Sequence, residues 1–242
     1  MRLPVEAYRL PPMIRRIPAC LRAIRAASIA EGHERLDKHP ELMVRAVNAL
    51  LIGTTDFFRD RPVFDALQHS VIPQMLEVKR HPRVWSAACS DGSELYSVAM
   101  TFALFGELQE GQFLGTDCRR EVVDQARRGQ FAKSRMCRLR QPQRSLFTVN
   151  GQEFTGIAPE IRRATCWRTA EVLADNPGGP WDMILCRNLA IYLAPKALRG
   201  LWQMLADALA PGGVLVVGKA EKPVVPGLRK IHPSIYCKHS IP

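Results

Sequence analysis

Arg83-Val84-Trp85-Ser86-Ala87-Ala88-Cys89-Ser90-Asp91-Gly92-Ser93-Glu94-Leu95-Tyr96-Ser97-Val98-Ala99-Met100 is the stretch whose reading decides the fold. It opens with a short apolar run, the pattern of a buried strand. Small residues follow, with one glycine, Gly92. From Glu94 the positions Val98, Ala99, Phe102 and Ala103 take up a helical period that runs to about Phe105. Strand, small-residue turn and helix bring backbone close to a nucleotide-like ligand at the carboxyl end of the first strand of an α/β sheet. One glycine is not a G-x-G-x-x-G fingerprint, so dinucleotide binding is a poor match. Taken alone, the turn is equally an ordinary βα connection.

About twenty residues on, Gln112-Phe113-Leu114-Gly115-Thr116-Asp117 forms a second apolar run that ends in an acid. A carboxylate at the tip of the second strand can accept from both hydroxyls of a ribose. Turn plus acid therefore point to an adenosine-type ligand without a pyrophosphate, and S-adenosylmethionine fits that description.

The chain has 242 residues and an apolar fraction of 47%, enough for one large domain or one domain with a small appendage. No apolar run has the length of a transmembrane helix, so membrane insertion is not expected. Pro4, Glu6, Pro11 and Pro12 interrupt any signal-peptide core at the N-terminus. The 7 cysteines are odd in number and hold no C-x-x-C pair, which argues against a disulfide framework and a zinc site. A cytoplasmic location is the expectation. The net charge of +11 attracts acidic partners, either a protein surface or nucleic acid. Aromatic and basic residues do not interleave as single-strand stacking would need.

Along the chain, Ile14 to Ala30 is expected to be one amphipathic helix with Ile17, Leu21, Ile24 and Ser28 on a common side. Glu41 to Leu51 reads as the next helix, and Phe64 to Leu76 as one interrupted by Pro73. Between these two helices, Thr55 or Asp56 can cap a helix, and Arg59 beside Phe57 and Phe58 is placed to bind a carboxylate bidentately. Glu121 to Arg128 reads as a helix closed by Gly129. Residues 130–163 read as an inserted lobe with a hairpin at Asn150-Gly151. Ala164 to Arg168 and Pro180 to Asn188 read as strands, with Arg187 paired at the end of the sheet. Pro195 to Leu209 reads as a helix, Pro211-Gly212-Gly213 as a turn, Val214 to Val217 as a strand, and Ile235 to Cys237 as a last, antiparallel strand. The fold class is α/β, a doubly wound and mostly parallel sheet.

Several of these stretches resemble one family, the chemotaxis receptor glutamate methyltransferases. Thr54-Thr55-Asp56-Phe57-Phe58-Arg59-Asp60 is similar to its T-x-F-F-R motif, and Trp85 to Met100 to its W-S-A-x-C-S-T-G-E-E-P-Y-S-x-A-M. Trp181-Asp182-Met183-Ile184-Leu185-Cys186-Arg187-Asn188-Leu189-Ala190-Ile191-Tyr192-Leu193 matches F-x-x-I-x-C-R-N-x-x-I-Y-F. Leu209 to Gly213 and Gly218 to Glu221 resemble the closing L-x-P-G-G and G-x-x-E. The likeness runs from about residue 42 to 240. It implies a shortened helical N-terminal region over 1–60 and an S-adenosylmethionine-dependent methyltransferase domain over 61–242 built on a seven-stranded sheet. It implies methylation of glutamyl carboxylates on a chemoreceptor or signalling protein, with S-adenosylhomocysteine as product. The resemblance places Thr55, Arg59, Ala88, Ser90, Gly92, Glu94, Asp117, Cys118, Glu171, Val172, Asn188 and Leu189 at the cofactor, with Glu94 on its ammonium and Asp117 on its ribose. Arg59 and Tyr192 then position the acceptor carboxylate. Two alternatives stay open: a methyltransferase for a small molecule or RNA, and a cofactor-sensing module without turnover.

Overall fold

The computed structural model describes residues 4–51, 55–139, 141–150 and 154–239. These divide into two compact units, one of residues 2–54 with 192–197 and one of residues 55–191 with 198–242. Thr54 of the T-x-F-F-R stretch and Gly151 of the expected hairpin lie outside the described residues.

The first unit is helical: α1 (Leu10–Ile14), α2 (Ile17–Ala23), α3 (Ile29–Lys38) and α4 (Leu42–Leu50). The single helix expected over Ile14 to Ala30 is thus two helices and a turn. Arg25 takes a left-handed φ of 56°, the Arg25 N–H donates to the Arg22 carbonyl at 3.1 Å and the Ala26 N–H to the Leu21 carbonyl at 2.9 Å. That pair of bonds is a Schellman stop. Ser28, expected on the helix's apolar side, instead caps α3, its Oγ accepting from the Glu31 N–H at 3.1 Å. Tyr192 to Ala197 joins this unit rather than the sheet domain. Tyr8 bridges Leu193, and the Arg9 N–H donates to the Tyr192 carbonyl at 2.8 Å.

The second unit carries a seven-stranded sheet and a smaller one. Its strands are β1 (Val84–Ala87), β2 (Phe113–Asp117), β3 (Gln130–Ala132), β4 (Phe147–Asn150), β5 (Phe154–Ile157), β6 (Thr165–Thr169), β7 (Trp181–Cys186), β8 (Leu209–Val217), β9 (Leu228–His232) and β10 (Ile235–Lys238). The large sheet runs β6-β2-β1-β7-β8-β10-β9. Its pairs are parallel as far as β8, and β10 is antiparallel to both neighbours. Chain order reverses between β1 and β7, and the crevice beyond the carboxyl ends of such strands is where doubly wound sheets take ligands. The inserted lobe is the antiparallel sheet β3-β5-β4.

Helices α5 (Arg61–Ala66) and α6 (Ile72–Val78) precede β1, joined by one π-helical stretch, Leu67–Val71. Pro73 was expected to interrupt this segment. The helix continues because the widened turn accommodates the missing N–H and the ring that an α turn would force against a carbonyl. Ser93–Ala103 forms α7 and Arg120–Arg128 forms α8, closed by Gly129 at φ 60°. Short helices α9 (Gln141–Arg144) and α10 (Pro159–Ala164) follow, then α11 (Pro195–Ala208). Pro211 to Gly213 falls inside the span of β8 but as an excursion from its ladder: Leu209 and Val214 pair with Trp181 and Met183 of β7, and Gly212 between them takes a left-handed φ of 75°. Strand β9 escaped the sequence reading because only its two end residues are even half-buried. It is a polar edge strand without apolar alternation.

Gly115 lies in β2 under the Trp167 indole of β6. A β carbon at Gly115 would stand 2.4 Å from the ring and 3.1 Å from Cys89 Sγ. An indole is rigid, so Gly115→Ala is expected to cost about 1–3 kcal/mol. Urea unfolding would show it as a lower midpoint at unchanged slope; an unmoved midpoint would mean that Trp167 shifts aside freely.

Candidate active site

Left-handed backbone gathers on three loops of the sheet unit. Six described non-glycine residues have left-handed φ, and five of them, Phe58, Asp60, Ala88, Ser90 and Asn188, fall on three loops. Such conformations cost about 1–3 kcal/mol each and persist where surroundings hold them. The loops are residues 55–60, the turn after β1 and the turn after β7.

The turn after β1 is fixed from two directions. The Ser90 N–H donates to Asp117 Oδ2 at 2.9 Å, linking it to the tip of β2. Asp91 Oδ1 accepts from the Ser93 N–H at 3.1 Å and the Ser93 hydroxyl at 2.5 Å. Gly92 takes φ 84° at the cap of α7, and a β carbon there would stand 2.5 Å from the Trp167 ring. Only glycine satisfies both demands.

Arg135 of the lobe reaches into this region. Its Nη1 meets Asp91 Oδ2 at 2.6 Å, while its Nη2 donates to the Thr55 carbonyl at 2.8 Å and to Ser93 Oγ at 2.7 Å. Its guanidinium lies 5.3 Å from the Phe57 ring centre and 5.2 Å from that of Phe131. One arginine thus ties lobe, glycine turn and the loop of Thr55 together. Sequence reading missed it, since nothing local distinguishes Arg135 from its neighbours.

Arg187 makes the second tie. Its side chain is 1% exposed and bridges Glu94 Oε2 at 2.7 Å and Asp60 Oδ2 at 2.6 Å. The pairing expected of Arg187 therefore joins the first turn of α7 to the residue after Arg59. Arg59 itself is half-buried between Phe58 and Asp60. The Phe58 N–H donates to Ser97 Oγ at 3.0 Å.

Asn188 and Leu189, both half-buried, follow β7. Buried Glu221 shapes that turn: it accepts from the N–H groups of Asn188 at 2.9 Å, Ala190 at 2.7 Å and Gly218 at 2.6 Å. Burial raises the Glu221 pKa and these backbone bonds oppose the rise. Its motif was visible in the sequence; its role as an anchor of the turn was not.

At the end of β2, Asp117 is 4% exposed and paired with Arg119. Next to it the Cys118 thiol is pushed up to about 12, chiefly by burial and then by the charges of Asp117 and Glu171. Val172 is buried. Glu171 Oε1 accepts from the Leu173 N–H at 3.3 Å, whereas Oε2 is buried with no partner among the described residues. Burial raises the Glu171 pKa most, the Leu173 bond lowers it, and Asp117 raises it further. The folded chain then holds this proton more tightly than the unfolded chain does. Stability falls as pH rises from the ordinary carboxylate range through the folded value. Glu171→Gln removes that penalty, so without cofactor its Tm should gain on the wild type across that window. A difference independent of pH would count against it.

The sheet unit thus brings Ala88, Ser90, Gly92, Glu94, Asp117, Cys118, Glu171, Asn188 and Leu189 to the carboxyl ends of its strands. Tyr192 belongs to the helical unit.

The family model described as CheR methyltransferase, SAM binding domain, matches residues 53–234. The chain belongs to the CheR methyltransferase family. A chemotaxis protein methyltransferase of Listeria innocua serovar 6a is 32% identical over 241 residues, covering 98% of this chain and 92% of that protein. Chemotaxis protein methyltransferase 1 of Pseudomonas aeruginosa is 31% identical over 186 residues, covering 72% and 68%. The solved N-methyltransferase NodS of Bradyrhizobium japonicum, in complex with S-adenosylhomocysteine, is 15% identical with a TM-score of 0.38, over 66% of this chain and 63% of its own; that likeness is too distant to bear on the site.

As a CheR-family methyltransferase the chain uses S-adenosylmethionine. The donor set fits an adenosyl amino acid in kind. Glu94 is an acceptor for an ammonium, Glu171 Oε2 is a buried acceptor without a partner, and Asp117 is an acceptor for a diol, although Arg119 holds it.

Proposed function

We propose that this methyltransferase esterifies glutamyl carboxylates on an acidic receptor or signalling protein in the cytoplasm. The observation that carries this reading is Arg59. It is the one strongly basic side chain of a strained loop that Arg187 links to Glu94. S-adenosylmethionine supplies an electrophilic methyl group on a sulfonium. A carboxylate acceptor is already ionised at neutral pH, so the chain needs no general base. Its task is alignment of the acceptor oxygen. Arg59 holds the acceptor carboxylate by a charge-assisted, bidentate pair. Glu94 accepts from the cofactor's ammonium and Asp117 from its ribose. Glu171 and Val172 hold the adenine side with Asn188 and Leu189, and Thr55, Ala88, Ser90, Gly92 and Cys118 complete the lining.

Charge supports an acidic partner. The chain carries +11, and an open cleft of about 350 Å³ is walled by Arg127, Arg162 and Arg163. Curated relatives are named chemotaxis protein methyltransferases. Among the described residues no helix is long and apolar enough to cross a membrane. The test is transfer of labelled methyl from S-adenosylmethionine into candidate proteins, followed by mild base. Glutamyl esters release the label as methanol. Label that resists base, or enters RNA or a small molecule instead, would reject the proposal.

A further inference from the structure

A carboxylate offers about four acceptor positions, two on each oxygen. In Asp117 all four are filled. Oδ1 accepts from the Arg119 backbone N–H at 3.0 Å and from Arg119 Nε at 3.0 Å. Oδ2 accepts from the Ser90 N–H at 2.9 Å and from Arg119 Nη2 at 3.2 Å. Two of the donors are backbone groups set by the turns. The other two belong to a single guanidinium, which places one N–H on each oxygen. A ribose cis-diol places one O–H on each oxygen in the same way.

We propose that Arg119 is a built-in competitor of the cofactor's ribose. Its guanidinium and the diol claim the same two acceptor positions on Asp117, so binding requires Arg119 to swing off. This rests on the reading of Asp117 as the ribose acid. The competition is weighted toward the arginine. Its side chain is 8% exposed and Asp117 4%, and Nη2 is also 3.3 Å from Ser90 Oγ. A buried charge-assisted pair is stronger than the neutral diol bonds that replace it. The cofactor therefore meets a site open only part of the time, and its apparent affinity falls by that fraction. Arg119 thus sets the cofactor concentration at which the enzyme becomes loaded, without touching the reacting atoms.

Calorimetry with S-adenosylhomocysteine tests this on Arg119→Ala and Arg119→Gln. Both variants should bind about tenfold tighter or more. A folded variant that binds equally or more weakly overturns the proposal, as a merely structural arginine would. Asp117→Ala separates the two ideas. Unchanged affinity there rejects the ribose reading itself, whereas weakened affinity there without tightening at Arg119 rejects only the competition.

Discussion

Arg59→Ala is expected to reduce methyl transfer by about 10²-fold, the loss that follows when an acceptor is displaced by about 1 Å from its line of attack. The backbone fixes where this side chain stands. Phe58 at φ 50° and Asp60 at φ 60° bracket Arg59 with two left-handed non-glycine residues. Phe58 is held there by its ring against Phe64, with centroids 5.2 Å apart, and by the bond from its N–H to Ser97. Asp60 is held by Arg187. A loop stretched between two such anchors fixes where the intervening side chain leaves the backbone. The cofactor's proposed ammonium, ribose and adenine contacts lie on other residues, so most affinity for S-adenosylhomocysteine should survive. Calorimetry beside a transfer assay separates the two effects. Affinity and transfer falling together by equal factors would make Arg59 a cofactor ligand and leave the acceptor carboxylate without a partner.

What the sequence discloses and what it hides differ in range. Val84 to Ala87 and Trp181 to Cys186 are mostly apolar, with Ser86 and Asp182 the exceptions, because both faces of a central parallel strand are covered, so they read directly. Asp117 stands where such a run ends, and Gly129 closes α8 by its own conformation. These are local signals. The hidden features depend on partners far along the chain. Arg135 meets Asp91 44 residues away, and Arg187 meets Asp60 127 residues away. In a chain with 34 lysines and arginines, spacing does not say which one is buried on a carboxylate. Arg119 is the sharpest case. It lies two residues beyond the acid singled out from the sequence, yet only the folded geometry shows its guanidinium on both oxygens. The stop at Arg25 was hidden for another reason. Left-handed closure there falls to an arginine rather than a glycine, so composition carries no mark of it.

Arg187→Met should produce the largest loss of stability, about 3 kcal/mol or more, because it withdraws the cation from a buried bridge. The two arms are unequal. Glu94 is 12% exposed and Asp60 36%, so water replaces the arginine at Asp60 with little loss, while Glu94 keeps a costly uncompensated charge. Methionine preserves much of the packing against Phe64, whose ring centre lies 5.9 Å from the guanidinium. The loss therefore reports charge more than volume. Two consequences separate a structural tie from a bystander. The loop of Arg59 loses its Asp60 anchor, so transfer should fall even when the assay is run well below the lowered Tm with cofactor at saturation. Arg187→Lys, a single cation without the fork, can hold one carboxylate but not both. It should recover most of the stability through Glu94 and little of the transfer. A lysine variant that restores both in step would show that the bridge to Asp60 does nothing for Arg59, and the strain around that residue would then need another cause.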